Sequence, residues 1–537
     1  MIRLVLFAAA LLVRAGVGLV FAGPAYPDSY YYVHVAQQLA AGHGFVANYI
    51  WNLDDISRLA TPGLLPTTAN GLWMPLAELV QVPFIWVLGP TNLASALPFW
   101  LIGALAAPLT YSIGRDAGFA RLPAFVAGAL VAVPAGLTPF VAQPDSFALV
   151  MFLGTASLWL CARGMAGDRR AFVLGGLTVG LATLARLDCA LLGLPFALVA
   201  VRDLFNGRRI GLAASLSCAA AFALVVAPWL IHQVAVFGTP FPASGRITWM
   251  TNYDQLFSFA TPPTLEGFLA QGPLAILSGR ISGFGAAVGL FAIVPLGVVL
   301  LPFAVVGGWQ LRRSAAFHPF LIYAAALFAV MALLFPIVVS HGTFLHAAAA
   351  LVPYTFLLTV YGVRAVVDWA SRRRPSWNAP NATRIFSASA VGVAAVIALL
   401  QTVSVTHDWS AARAVQTSVA AGMATALPGD RFMAADPGAI NYVTGHQGIV
   451  TPADSLEVVE SVMREYDVRW LILERDQIVP ALEPVLTGAV KPDWLSRPIA
   501  IVPGTQTAVA TTGPAPATVP AGAVFAVCLS AGDTRCQ

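Results

Sequence analysis

Apolar residues run in long blocks along the first three-quarters of the chain, and polar residues fall between the blocks instead of alternating within them. A helix that crosses a membrane needs about 20 mostly apolar residues, because a rise of about 1.5 Å per residue must span a hydrocarbon layer about 30 Å thick. Ten blocks meet that need: 2–22, 92–114, 122–142, 146–163, 171–187, 210–232, 284–308, 319–339, 347–367 and 384–405. A shorter block at 189–202 brings the expectation to about eleven spans. The stretch 72–89 is interrupted by Pro75, Glu78, Gln81 and Pro83. It reads as short helix lying in the membrane interface, with Glu78 on its polar face.

After residue 405 the pattern changes: charge rises and the long apolar runs stop. RFMAAD, GIVTPADSLEVVESVMREYD and VRWLILERD read as strand, helix and strand. Leu456, Val459, Val462 and Met463 recur at helical spacing, and Arg469 to Leu473 forms a short apolar run suited to a buried strand. The expected fold class is an all-α polytopic membrane bundle over 1–405 with a small C-terminal α/β domain over 406–537. The Pro/Thr/Ala-rich stretch 501–522 reads as loosely ordered.

Composition agrees with lipid as the solvent. The 537 residues are 58% hydrophobic and only 10% charged, against about 25% charged in a soluble domain. No basic stripe interleaved with aromatics is present, which argues against a nucleic-acid partner. Arginine is informative through its placement. Arg115 and Arg121, then Arg163, Arg169 and Arg170, then Arg202, Arg208 and Arg209, then Arg312 and Arg313, then Arg364 and Arg372 to Arg374 fall on every second connection. The positive-inside rule makes those connections cytoplasmic, provided 72–89 does not cross. The long loop 23–91, the connection 233–283 and the C-terminal domain are then expected outside the cytoplasmic membrane. Arg14 breaks the first apolar block, so a cleaved signal peptide is not the preferred reading. Cys161, Cys189 and Cys218 lie in apolar runs as small buried hydrophobes, whereas Cys528 and Cys536 are close enough for a local disulfide.

Carboxylates beside a membrane-embedded region are costly to hold and tend to carry function. Asp28 follows the first span and Asp145 lies between two spans, both in a Pro-Asp-Ser sequence ahead of a helical pattern. Each reads either as a helix N-cap or as a catalytic acid–base group, and the two roles are compatible. Asp54 and Asp55 read as a solvated turn. The expected outer side also carries Arg58, Arg186, Arg246 and Arg280, whose planar forks suit phosphate. Arg186 and Asp188, two residues apart, would face different ways on a helix. His341 and His346 are five apart, not at the i, i+4 spacing of a helical metal pair, so no metal site or cofactor is expected. Asp-x-Asp, phosphate-cradling glycine and Gly-x-Ser-x-Gly motifs are missing from the sequence, which weakens nucleotide-sugar, nucleotide and esterase readings.

Taken together, these features resemble the GT-C superfamily of integral-membrane glycosyltransferases, in the branch shared by protein O-mannosyltransferases and lipid A aminoarabinose transferases. The family opens on an aspartate after the first span, a Tyr-rich helix and a Gly-x-Gly-Phe turn; here these are Asp28, Tyr30 to Tyr32 and Gly42-His43-Gly44-Phe45. Asp145 matches the acid of its second outer loop, Arg186-Leu187-Asp188 its Arg-x-acid step, and 237–249 its Tyr-Gly-x-Pro-x-Pro segment, with Arg246 as the basic residue. The segment 435–453 resembles its outer C-terminal domain. Two departures stand out: Trp73-Met74-Pro75-Leu76 replaces the common His-Pro-Pro-Leu, and one acid follows Pro27 where many relatives have two. The resemblance implies an inverting transfer of sugar from a polyprenyl-phosphate donor to a cell-envelope glycan, lipid or protein. Asp28 would be the base, Asp145 would assist it or orient the acceptor, and Arg58, Arg186 or Arg246 would face the donor phosphate. The spans alone fit a transporter or flippase of lipid-linked glycans equally well, although the sequence shows no internal repeat of the kind such proteins carry.

Overall fold

The computed structural model describes residues 1–52, 63–206, 210–242, 246–374, 376–503 and 520–529. Among these, eight helices are long and apolar enough to cross a membrane, and a bent pair, Arg121–Ala132 with Ala135–Ala142, makes a ninth if counted as one span. The expectation of eleven is not reached, for reasons of length. Block 171–187 folds as Arg169–Ala185, a helix of 17 residues, and block 189–202 as Gly193–Asn206, one of 14. At about 1.5 Å per residue both fall short of a 30 Å layer. Block 284–308 is split, with one helix over Pro273–Ile293 and another over Leu301–Leu311. The stretch 72–89 gives two short helices, Leu76–Leu79 and Val82–Leu88, but Glu78 is fully buried and not on a solvated face.

The chain divides into two compact units. The first comprises Met1–Pro24, Trp73–Pro240 and Gln271–Thr406 and holds the apolar helices. Small residues let these helices meet closely. Gly307 lies against the Leu358 carbonyl and Gly362 against that of Phe303, with no room for a Cβ at either position. The bent pair breaks at Val133 to Ala135, where the backbone turns through 43°. The freed Gly136 N–H there donates to the carbonyl of Val294 at 2.9 Å, where the Pro273–Ile293 helix has ended. Each break thus supplies a backbone partner to the other. Arg14 is fully buried and donates from Nη1 to Ala10 O at 3.0 Å.

The second unit comprises Ala25–Leu72, Phe241–Ala270 and His407–Gln537. Its helix Pro27–Ala40 carries the tyrosine run, and short strands follow: β1 Val46–Ala47, β2 Tyr49–Ile50 and β3 Thr67–Thr68. In the tail lie β4 Arg431–Ala434, β5 Gln447–Val450, β6 Val468–Glu474, β7 Ala500–Val502 and β8 Gly522–Ala526. The main sheet has the order β2-β5-β4-β6-β8-β7, parallel from β2 to β6 and antiparallel beyond. The strand–helix–strand reading holds for β4, the Leu456–Glu465 helix and β6, with β5 as an additional strand. Alternation splits the core in two. Phe432, Ala434, Trp470 and Ile472 face Val419 and Met423, while Met433, Leu471 and Leu473 face Val459, Val462 and Met463. The loop after the first span is therefore more than interfacial helix: it supplies β2, with Tyr49 opposite Gly448 and Ile50 opposite Ile449. Cys528 is disulfide-bonded and Cys161, Cys189 and Cys218 are free. Cys536, Asp54, Asp55, Arg58 and most of 501–522 lie outside the described residues.

Candidate active site

In the second unit, Asp28 sits in the first turn of the Pro27–Ala40 helix, half-buried. It is not the N-cap; Tyr26 occupies that position. Ser29 closes the helix start instead, its Oγ accepting from Ala25 N at 2.8 Å and Tyr26 N at 3.0 Å. Ser29 thus takes the capping work that the sequence allows for Asp28. Burial, and then the Asp28 carboxylate, pushes the Tyr253 hydroxyl up to about 12. Tyr49 is held well above its ordinary range by burial, with Asp436, Tyr31, Tyr30 and Asp28 adding to the shift. Both phenols therefore stay protonated within electrostatic reach of Asp28.

In the first unit, Asp145 is completely buried and caps the helix Ser146–Met165 through Ser146 N. Its Oδ1 also accepts from Ser146 Oγ at 3.1 Å. Its Oδ2 lies 2.9 Å from His346 Nε2, and His346 Nδ1 lies 2.9 Å from the Gly342 carbonyl. The ring thus bridges a backbone carbonyl and a buried carboxyl. Phe147 stacks on the imidazole at 3.7 Å between centroids. Sequence spacing between His341 and His346 gave no sign of this pair, because the partner of His346 is 201 residues away.

Arg186 and Asp188 do meet, contrary to the helical expectation. Arg186 has extended backbone at the end of Arg169–Ala185, and Asp188 opens a 3-10 turn, so the two side chains swing together. Arg186 Nε reaches Asp188 Oδ2 at 3.2 Å and Nη2 reaches it at 3.0 Å. A phosphate at Arg186 would share the guanidinium with this carboxylate. Arg246 is half-buried at the start of a short turn over Ile247–Trp249 in the second unit. Arg280 lies on the Pro273–Ile293 helix. A narrow crevice in the first unit is lined by Gly18, Phe21, Asn92, Ser95, Gln143 and Pro144, with buried Ser95 Oγ and Gln143 Oε1 among its polar atoms.

The architecture, a bundle of apolar helices with a small mixed sheet at the C-terminus, is found in solved membrane proteins. Two solved structures share it over their whole length. ArnT from Cupriavidus metallidurans bound to undecaprenyl phosphate matches with a TM-score of 0.55 at 16% identity, over 97% of each chain. The same protein in its apo state matches with a TM-score of 0.51, again at 16% identity and 97% of each chain. The oligosaccharyltransferase AglB from Archaeoglobus fulgidus, in complex with an inhibitory peptide and a dolichol-phosphate, is more distant. It has a TM-score of 0.47 at 14% identity, over 88% of this chain and 69% of its own. No family model and no curated protein matches the sequence.

Proposed function

We propose that the chain is an inverting membrane glycosyltransferase that takes a hexosyl or pentosyl group from a polyprenyl-phosphate donor. The acceptor is a glycan, lipid or protein of the cell envelope, at the outer face of the cytoplasmic membrane. The full-length likeness in fold to ArnT bound to undecaprenyl phosphate carries this reading. The arginine distribution supports an orientation with the second unit outside the cytoplasm.

In the reaction, the acceptor oxygen attacks the anomeric carbon, and the bond from that carbon to the phosphate oxygen breaks. The electron pair leaves on the polyprenyl phosphate, and the acceptor proton passes to Asp28. Asp28 suits the part as a half-buried carboxylate in the first turn of the Pro27–Ala40 helix. Asp145 has both carboxylate oxygens engaged, so its part is to orient its neighbours. Arg186, Arg246 and Arg58 are assigned to the charge that develops on the leaving phosphate. Transport of the same lipid-linked glycan is a second reading, favoured by the two helix breaks joined between Gly136 and Val294. Lipid-linked sugars in membranes of cells with wild type, Asp28→Asn or no protein decide between them. One polyprenyl-phosphate sugar is expected to accumulate in both the variant and the null. A variant that matches wild type while the null differs would remove Asp28 from the chemistry and favour transport.

A further inference from the structure

The Pro27–Ala40 helix is gripped from one side by a charged aromatic cluster of the second unit. Arg413, on the Ala379–Gly422 helix, donates from Nη2 to the Tyr30 hydroxyl at 2.9 Å. The Tyr30 hydroxyl in turn donates to Gln416 Oε1 at 3.3 Å. The guanidinium carbon of Arg413 stands 4.6 Å from the Tyr442 ring centroid and 5.5 Å from that of Tyr30, and the two rings are 5.6 Å apart. Tyr442 belongs to the Pro437–Thr444 helix, whose N-cap is the buried Asp436, and the Asp436 carboxylate is within electrostatic reach of Arg413. Gly438 permits the approach: a Cβ there would stand 3.1 Å from the Tyr30 Cβ and 3.0 Å from the Tyr49 hydroxyl. Tyr30 is thus held at three points: its hydroxyl, its ring face and its Cβ.

Successive residues on an α-helix are rotated by about 100°, so residues two apart point to nearly opposite sides. Fixing Tyr30 on the inner side fixes where Asp28 points. Asp28 is half-buried on the far side, in a first turn where Ser29 Oγ accepts from Ala25 N and Tyr26 N. A misplacement of about 1 Å at a reacting group can cost about 100-fold in rate.

We propose that Arg413 is a positioning residue for Asp28: through Tyr30 it sets the rotation of the Pro27–Ala40 helix and so the aim of the base. This rests on the reading of Asp28 as base. The test uses full-length protein in lipid nanodiscs. Its donor is the lipid-linked sugar fraction extracted from membranes of cells lacking the protein, its acceptor the envelope fraction of the same cells, and the readout is release of free polyprenyl phosphate. Tyr30→Phe keeps the ring and removes only the hydroxyl; kcat is expected to fall about 10-fold with donor KM within about twofold. Arg413→Met is expected to fall about 100-fold. Arg413→Lys is expected to recover part of that loss, because the cation over the two rings remains. The Tyr30→Phe/Arg413→Met double variant is expected to be no worse than Arg413→Met, since both act through one contact. If Arg413→Met does not fold, Tyr30→Phe alone decides. A kcat within twofold of wild type in Tyr30→Phe, or a loss confined to donor KM, overturns the inference while Asp28→Asn remains inactive. An active Asp28→Asn overturns the functional reading beneath it.

Discussion

A buried carboxylate is tolerated when its oxygens have partners, and Asp145 meets that condition with one neighbour next in sequence and another 201 residues away. Removing one side of such a pair strands a charge in a medium that cannot solvate it. His346→Ala is therefore expected to destabilise the protein by roughly 3–5 kcal/mol. Adding Asp145→Asn should recover part of the loss, because the stranded charge is then gone. Thermal unfolding of the purified variants in detergent checks both statements; a single variant as stable as wild type would mean the pair carries no net load. Asp145 was legible in the sequence as an acid in Pro-Asp-Ser at the head of an apolar block, and of its two readings the structure bears out the N-cap. His346 was not, since its partner is set by how the spans pack and no local periodicity encodes that. Arg186 and Asp188 failed in sequence for the opposite reason: a helical period was carried past the point where the helix ends.

At the scale of helices and strands, the apolar blocks located most spans, and the shortfall comes from two blocks that fold as helices too short to cross. A block length cannot reveal that 284–308 is shared between two helices, because the residues at the break are as apolar as those around it. Contact faces are equally hidden where every face is apolar. The Leu301–Leu311 and Val352–Arg373 helices touch through Gly307 and Gly362, each pressed against a carbonyl of the other. Gly307→Ala and Gly362→Ala are each expected to cost about 1–3 kcal/mol as the helices are forced apart. Gly308→Ala meets only ordinary contact with a Leu358 methyl and is expected to cost less. Unfolding temperatures of the three variants measure the ordering, and a Gly308 variant as damaged as the other two would remove the close-packing explanation. The tail strands β4 and β6 were readable from their short apolar runs, whereas β2, two residues inside a long loop, carries too little sequence to announce itself.

For the molecule as a whole, the second unit is assembled from three separated stretches of chain and stores two unusual carboxyls. Burial raises Asp436 to about 6, against the pull of its backbone N–H partners and Arg413. Burial, with Asp436 and Asp476 nearby, raises Glu474 to about 8. Folded-state values above the unfolded ones mean that the stability these groups lend is complete below about pH 4. It is lost as pH rises through about 6 for Asp436 and about 8 for Glu474. The unit is accordingly expected to loosen between about pH 4 and 8, by on the order of a few kcal/mol. Glu474→Gln should flatten the upper part of that decline. Hydrogen exchange of the β4 and β6 amides across this range tests it; wild-type and Glu474→Gln curves that keep a constant offset from about pH 5 to 8 would refute the assignment. The parallel pairing of Tyr49 with Gly448 also puts the sheet on a clock. Ribosomes add about 5–20 residues per second, so the first-made strand waits roughly 20–80 s for its neighbour to be synthesised. Until then the helix bearing Asp28 lacks the Pro437–Thr444 helix it packs on. Chains terminated before residue 437 therefore lack both the strand that pairs with β2 and the helix against which Tyr30 is packed.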